Sequence, residues 1–182
     1  VDVRAFEKEA KRILAEVEKE CGWMYKTVHN AACYIQEKDF SVETLAKKLI
    51  ACSIPDEARN FICALHQTLG TINYIIWSDV FVCQECTSEV VFWEVAVDEK
   101  SGSIKEEFLC PNCNVLLNKR NIDHAWVTKY NAANNETIRQ AKQVPVLINY
   151  SVEKKRFEKK PDAFDLALIE KIEGADIQHW FP

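Results

Sequence analysis

Glycine and proline are scarce in this chain, at four and five of 182 residues. So few leave little room for long flexible linkers or for a glycine-rich phosphate cradle. Neither HExxH nor GxSxG occurs, which removes two common hydrolase signatures. No apolar run approaches the roughly 20 residues that a membrane-spanning helix needs. The opening Val1-Asp2-Val3-Arg4-Ala5-Phe6 has neither the basic start nor the apolar stretch of a signal peptide. Internal repeats and low-complexity tracts are also missing. The chain begins without Met and stops at Trp180-Phe181-Pro182, so a segment of a longer protein is expected.

What is present argues for a folded protein. Hydrophobic residues make up 48% of the chain and include five Trp, enough to bury a core and to exclude general disorder. The length suits one medium domain or two small ones. Eight Cys suggest disulfides in a secreted protein, but there is no export signal, and a chain of this size does not need staples. Four of them also fall in two CxxC pairs. A reducing, cytoplasmic setting fits better. Cys21, Cys33, Cys52 and Cys63 are then expected to pack as small apolar thiols.

The pattern of residues predicts an α+β fold in three stretches: a helical region over 1–70, a β-rich zinc ribbon over 71–122, and a β-hairpin with a C-terminal helix over 123–182. Val3, Phe6, Ala10, Ile13, Leu14, Val17 and Cys21 recur at three- and four-residue steps, placing them on one helical face that ends at Gly22. Ser41 caps a second helix carrying Leu45, Leu49 and Ile50. A third opens at Pro55-Asp56-Glu57, turns Phe61, Ile62 and Leu65 inward, and ends at Gly70. Strands are expected over 72–77, 80–82, 89–97, 104–109, 115–117 and 144–152, with a turn at 98–103. The last strand is expected to pair with Arg156-Phe157-Glu158 across Glu153-Lys154-Lys155. Asp162 caps a final helix with a buried stripe of Leu166, Ile169 and Ile172, closed by Gly174.

The strongest chemical signal is Cys83-Gln-Glu-Cys86, then 23 residues, then Cys110-Pro-Asn-Cys113. Two residues between paired Cys let a tight knuckle aim both sulfurs at one point, and Zn²⁺ takes four thiolates tetrahedrally. The intervening stretch reads as strand, turn, strand, a hairpin that brings the second knuckle back to the first. A redox pair needs only one CxxC, and iron–sulfur spacings are usually tighter. Four protein thiolates leave no open position for water, so the expected role of the Zn²⁺ is structural.

Other chemistry is thinner. His29, His66, His124 and His179 lie far apart, beside no evident nucleophile, and are expected on the surface or in the core. Net charge is −5, yet 119–160 carries ten bases against four acids, between two acidic neighbours. Within it, Lys154, Lys155 and Arg156 belong to a run whose plainest reading is a solvated hairpin tip. Its functional reading is phosphate contact through counterion release, with Arg139 and Lys142 extending the same face. Trp77, Trp93 and Trp126 are able to stack on bases, although at least two are expected in the core.

Several stretches taken together carry a resemblance. They are Cys21-Gly-Trp-Met-Tyr25, Ile72-Asn-Tyr74, Trp77-Ser-Asp-Val-Phe81, Val91-Phe-Trp93, the run from Glu136 to Pro145, Leu147-Ile-Asn-Tyr150, the run from Asp165 to Glu170, and Trp180-Phe-Pro182. In this order they resemble the middle region of prokaryotic adenine-specific DNA methylases that contain a zinc ribbon, of the N6-adenine/N4-cytosine amino-methylating class. The resemblance covers most of Phe6 to Pro182. It departs over residues 26–71, where the family has a short polar connection and this chain has two expected helices. It implies S-adenosylmethionine-dependent methylation of DNA, as in restriction–modification. The family's Asp-Pro-Pro-Tyr-type motif and cofactor loop are both missing from these 182 residues, so no catalytic residue carries over and S-adenosylmethionine is not expected to bind here. Only the four zinc cysteines transfer. The implied role is an accessory or target-recognition region whose partners are DNA and the remainder of the methylase chain, with no membrane. A zinc-braced protein-interaction module without DNA contact is the alternative.

Overall fold

A computed structural model describes residues 2–29, 41–65, 69–98, 101–131 and 136–174. The fold is α+β. The chain divides into two compact units, Val1–Tyr74 with Ile148–Pro182, and Ile75–Leu147. The three-part division expected from the sequence is one of local character; compactness groups the first helices with the C-terminal hairpin and helix.

The first unit begins with α1 (Val3–Cys21), whose N-cap Asp2 accepts from the Arg4 and Ala5 amides. A 3₁₀ turn (Gly22–Tyr25) and β1 (Lys26–Val28) follow, then α2 (Val42–Ala51) and α3 (Pro55–Ala64). The Ser41 hydroxyl accepts from the Thr44 amide 3.1 Å away, as the sequence predicts for that cap. The strand β2 (Leu69–Cys83) and the later β9 (Gln143–Val152) each run from one unit into the other. In this unit β1 pairs antiparallel with β2, and β10 (Lys155–Lys159) with β9, and α5 (Ala163–Glu173) closes the chain. The core is Leu45, Leu49, Ala58, Ile62, Phe164 and Leu168 with Trp23 and Val28.

Two helical expectations fail here. Gly70 lies inside β2 and does not end α3. The core face of α5 is Phe164, Ala167 and Leu168, while Leu166 is half exposed. Periodicity alone admits either face, and packing onto α2 and β1 selects this one. The Asp162 cap holds, and is a full capping box with Asp165. The turn joining β9 to β10 is the two residues Glu153-Lys154, with Glu153 at φ +54°.

Gly70 is needed for a close approach. A Cβ there would overlap the ring of Tyr150, which is itself buried. Gly70→Ala is therefore expected to destabilise this unit by roughly 1–3 kcal/mol, the usual cost of overpacking, read as a lowered denaturant midpoint.

The second unit contains the other end of β2 with β3 (Glu89–Val91), α4 (Phe92–Ala96), β4 (Glu107–Leu109), β5 (Leu116–Asn118), β6 (Ile122–His124), β7 (Trp126–Asn131) and β8 (Glu136–Ala141). β3 and β6 both pair antiparallel with β2, β4 pairs with β5, and β7 with β8. The expected strand over 89–97 stops at Val91, because Phe92–Ala96 forms one helical turn. Its β-forming residues are overridden by a distant contact: the Ser78 hydroxyl accepts the Trp93 amide at 2.9 Å. The β7–β8 hairpin and β6 were not expected. Of the expected hairpin between the knuckles, the described residues keep the end at the turn: the bridge Val97↔Ile104, the Lys105 amide donating to Ala96 O (2.8 Å) and the Asp98 amide to Ser103 O (3.0 Å), near Gly102 at φ +67°.

Candidate metal centre

Each cysteine pair sits at the tip of its own hairpin. Cys83 ends β2 and Cys86 precedes β3; Cys110 follows β4 and Cys113 precedes β5. The two tips repeat one another bond for bond. The Thr87 amide donates to Cys83 O (2.8 Å) and the Asn114 amide to Cys110 O (2.9 Å). The Cys83 amide donates to Ser88 O (3.0 Å) and the Cys110 amide to Val115 O (2.9 Å). Thr87 and Asn114, each one residue past a second cysteine, both have φ +58°. That left-handed residue reverses the chain while leaving both side chains of the pair directed inward. Asn tolerates it, whereas a β-branched Thr does so at a cost of about 1–2 kcal/mol. Backbone strain of this sort persists where the surrounding bonds over-determine it.

All four sulfurs lie within 4.8 Å of one another. Cys83 Sγ is 3.8 Å from Cys113 Sγ, and Cys86 Sγ is 3.7 Å from Cys110 Sγ. These distances are far beyond the S–S bond of a disulfide, about 2.05 Å. Four bonds of about 2.3 Å to a tetrahedral ion would set the sulfurs about 3.8 Å apart. The group is therefore one that can hold a metal ion. Cys83 and Cys110 have no exposure at all, and they pack with Val90, Ala96, Phe108 and Leu117. The ring contacts Phe81–Phe92 and Phe92–Phe108, each at 5.7 Å, extend this core. The sulfurs are thus the centre of the unit's packing as well as its candidate ligands.

The thiols are driven apart in acidity. The Ser88 hydroxyl, 2.9 Å from Cys86 Sγ, together with the Asn112 side chain and the Ser88 amide, pulls Cys86 down to about 5. The Cys113 and Asn112 amides lower Cys110. The Val115 amide acts to lower Cys113, yet burial and its three sulfur neighbours together outweigh that and push it up to about 12. Crowded thiolates repel, so each ionisation raises the next; a dication at their centre would supply the missing countercharge. Ser88 and Asn112 are the residues that sequence reasoning missed. Their only sequence signal is position, within or just after a CxxC pair.

The remaining candidates are spread out. Arg139 on β8 lies 4.6 Å over the ring of Trp126 on β7, an exposed hairpin. Lys142 is held by Glu89 at 2.6 Å. Both belong to the second unit, whereas Lys154, Lys155 and Arg156 are exposed at the β9–β10 turn of the first. Trp77 and Trp126 are exposed and Trp93 is partly buried, so the expectation of two core tryptophans among these three fails. His29 hydrogen-bonds the Tyr150 hydroxyl (3.0 Å), and His124 packs 4.5 Å from Phe81. Of the other thiols, Cys21 and Cys52 are half-buried but Cys63 is exposed, against expectation. Cys33, His66 and His179 lie outside the described residues, as does the Trp180–Pro182 stretch.

No helix among the described residues is long and apolar enough to cross a membrane. Comparison with protein-family models, curated proteins and solved structures finds no match to this chain.

Proposed function

We propose that this chain is a zinc-braced accessory or target-recognition region of a DNA methyltransferase, which holds DNA and contributes no catalytic group. The observation that carries the zinc half is the paired hairpin tips, whose sulfur separations match the edges of a tetrahedron. Cys83, Cys86, Cys110 and Cys113 would hold one Zn²⁺, which acts as a cross-link, with all four positions filled by protein. Ser88 and Asn112 would spread thiolate charge into the surrounding hydrogen bonds.

The DNA half is supported by exposed cations. Lys154, Lys155 and Arg156 are exposed at a tight turn, with Glu153 and Glu158 as the neighbouring acids. The β7–β8 hairpin presents Arg139 stacked on Trp126, on a ribbon whose side chains are almost all exposed. The methylase assignment rests on the sequence resemblance. Methyl transfer from S-adenosylmethionine to a base amine would belong to the rest of the parent chain. The alternative, a protein-interaction module, has its support in the net charge of −5 and in the exposed apolar residues of α1.

Binding of the full chain to a DNA duplex, titrated against salt, tests the DNA role. Affinity should fall steeply as salt rises. Replacing Lys154, Lys155 and Arg156 together by Ala should reduce the log–log salt slope by about 2–3, close to one per lost phosphate contact. No binding at low salt, with the triple variant indistinguishable from the parent, would sink the DNA role and leave the interaction module.

A further inference from the structure

The helix α1 spans 19 residues and buries none of its side chains. Its apolar residues nevertheless form a regular seam. Val3, Phe6, Ala10, Ile13 and Val17 follow the alternating three- and four-residue steps of heptad positions a and d, and Leu14 widens the stripe. Apart from Ala10, these side chains are 48–68% exposed. A single helix of this length is marginal in water and draws its stability from packing such a face.

The residues beside the seam identify what fits it. Glu9 and Glu16 occupy one edge, and Glu7 lies on the other with Leu14 and Cys21. Neither edge carries a base. Arg4, Lys8, Lys11, Arg12 and Lys19 are all on the outer positions. Arg12 reaches back to Glu9 and, at 2.6 Å, to Glu16, which reduces the acidity of that edge without reversing it. A second copy of α1 is a poor fit. Parallel pairing sets Glu20, at the next d position, against the same residue of the other copy, and antiparallel pairing sets Glu9 against Glu16. An anionic membrane surface favours helices rich in Lys and Arg beside the apolar face, the opposite of this arrangement.

We propose that α1 is a docking helix for one helix from outside this chain, whose apolar a/d seam is flanked by lysine or arginine. The contact is a short two-helix coiled coil in which the partner's bases meet Glu7, Glu9 and Glu16. The inference goes beyond the zinc and DNA reading and stands without it.

The test uses the full chain and two three-heptad helical peptides with leucine at every a and d. One has lysine at every e and g, the other glutamate. Fluorescence anisotropy should give the lysine peptide an affinity at least about tenfold tighter. The double variant Phe6→Ser with Ile13→Ser should weaken that binding by a similar factor, with an unchanged melting temperature. Equal affinity for the two peptides, or binding indifferent to the double substitution, overturns the proposal. So does self-association in sedimentation that the double variant abolishes, which makes a second copy the occupant. Preferential binding to vesicles of phosphatidylcholine and phosphatidylserine overturns it in favour of a lipid surface. A lowered melting temperature in the double variant also overturns it, because the stripe would then be covered by this chain.

Discussion

Replacing Cys110 by Ser is expected to reduce bound zinc from one ion per chain to none and to unfold the Ile75–Leu147 unit. Serine offers a hard, protonated oxygen where a thiolate is needed, and three remaining sulfurs do not close a structural site. The second reason is packing. Cys83 and Cys110 lie with no exposure in the middle of a small apolar cluster, so candidate ligands and core are one feature. Structural zinc contributes apparent binding free energies of roughly 10–16 kcal/mol to domains of this kind, comparable to the whole stability of a typical unit, roughly 5–15 kcal/mol. Metal analysis after dialysis against a chelator, with near-ultraviolet circular dichroism, reads both effects. The Val1–Tyr74 and Ile148–Pro182 unit has its own core and should keep its unfolding transition. A variant that retains one zinc per chain would refute the ligand assignment.

The second large effect is expected at Lys159. Its ammonium donates to Asp162 Oδ2 (2.5 Å), Asp165 Oδ2 (2.8 Å) and Val28 O (3.2 Å), which uses all three of its protons. Asp165 is 1% exposed and also accepts from the Thr27 hydroxyl (2.5 Å) and the Asp162 amide (2.9 Å). Lys159→Met keeps the side chain's length but leaves a buried carboxylate without its cation. The expected cost is about 3–5 kcal/mol, a fall in melting temperature of roughly 10 °C or more at neutral pH.

The pH dependence has a definite sign. Burial raises the pKa of Asp165 above the ordinary carboxylate value, although Lys159 acts to lower it. A raised value means that folding favours the protonated acid, so this group's contribution is complete below its unfolded value and declines as pH rises through the folded one. Removing Lys159 raises it further. The gap between parent and variant should therefore be smallest in acid and widen towards neutral pH. A gap constant with pH would assign the loss to packing alone.

How much of this was legible beforehand depends on range. The caps at Ser41 and Asp162 were readable because a cap is a contact over two or three residues. The turn joining β9 to β10 was readable for the same reason. Phe92–Ala96 was misread because its helical turn depends on Ser78, fifteen residues away in sequence. The face of α5 was misread because Leu166 and Leu168 satisfy apolar periodicity equally well, and only the neighbouring elements distinguish them. The Lys159–Asp165–Thr27 network leaves no trace in spacing, since its members come from three separate elements.

The cysteine site shows both sides of this division. Its four candidate ligands were determined by sequence alone, because CxxC is a turn whose geometry is closed within a few residues. The sequence reading also placed a hairpin between the two pairs, and that hairpin is kept only in part, as the paired turn around Val97 and Ile104. Only the tertiary structure decided that each pair tips its own hairpin, since strand pairing is a choice among distant partners that hydrogen-bond equally well. It also decided that Ser88 and Asn112 reach the sulfurs and that the apolar stripe of α1 lies exposed. Local backbone chemistry is written in neighbouring residues; burial and charge neighbourhoods exist only once distant segments have met.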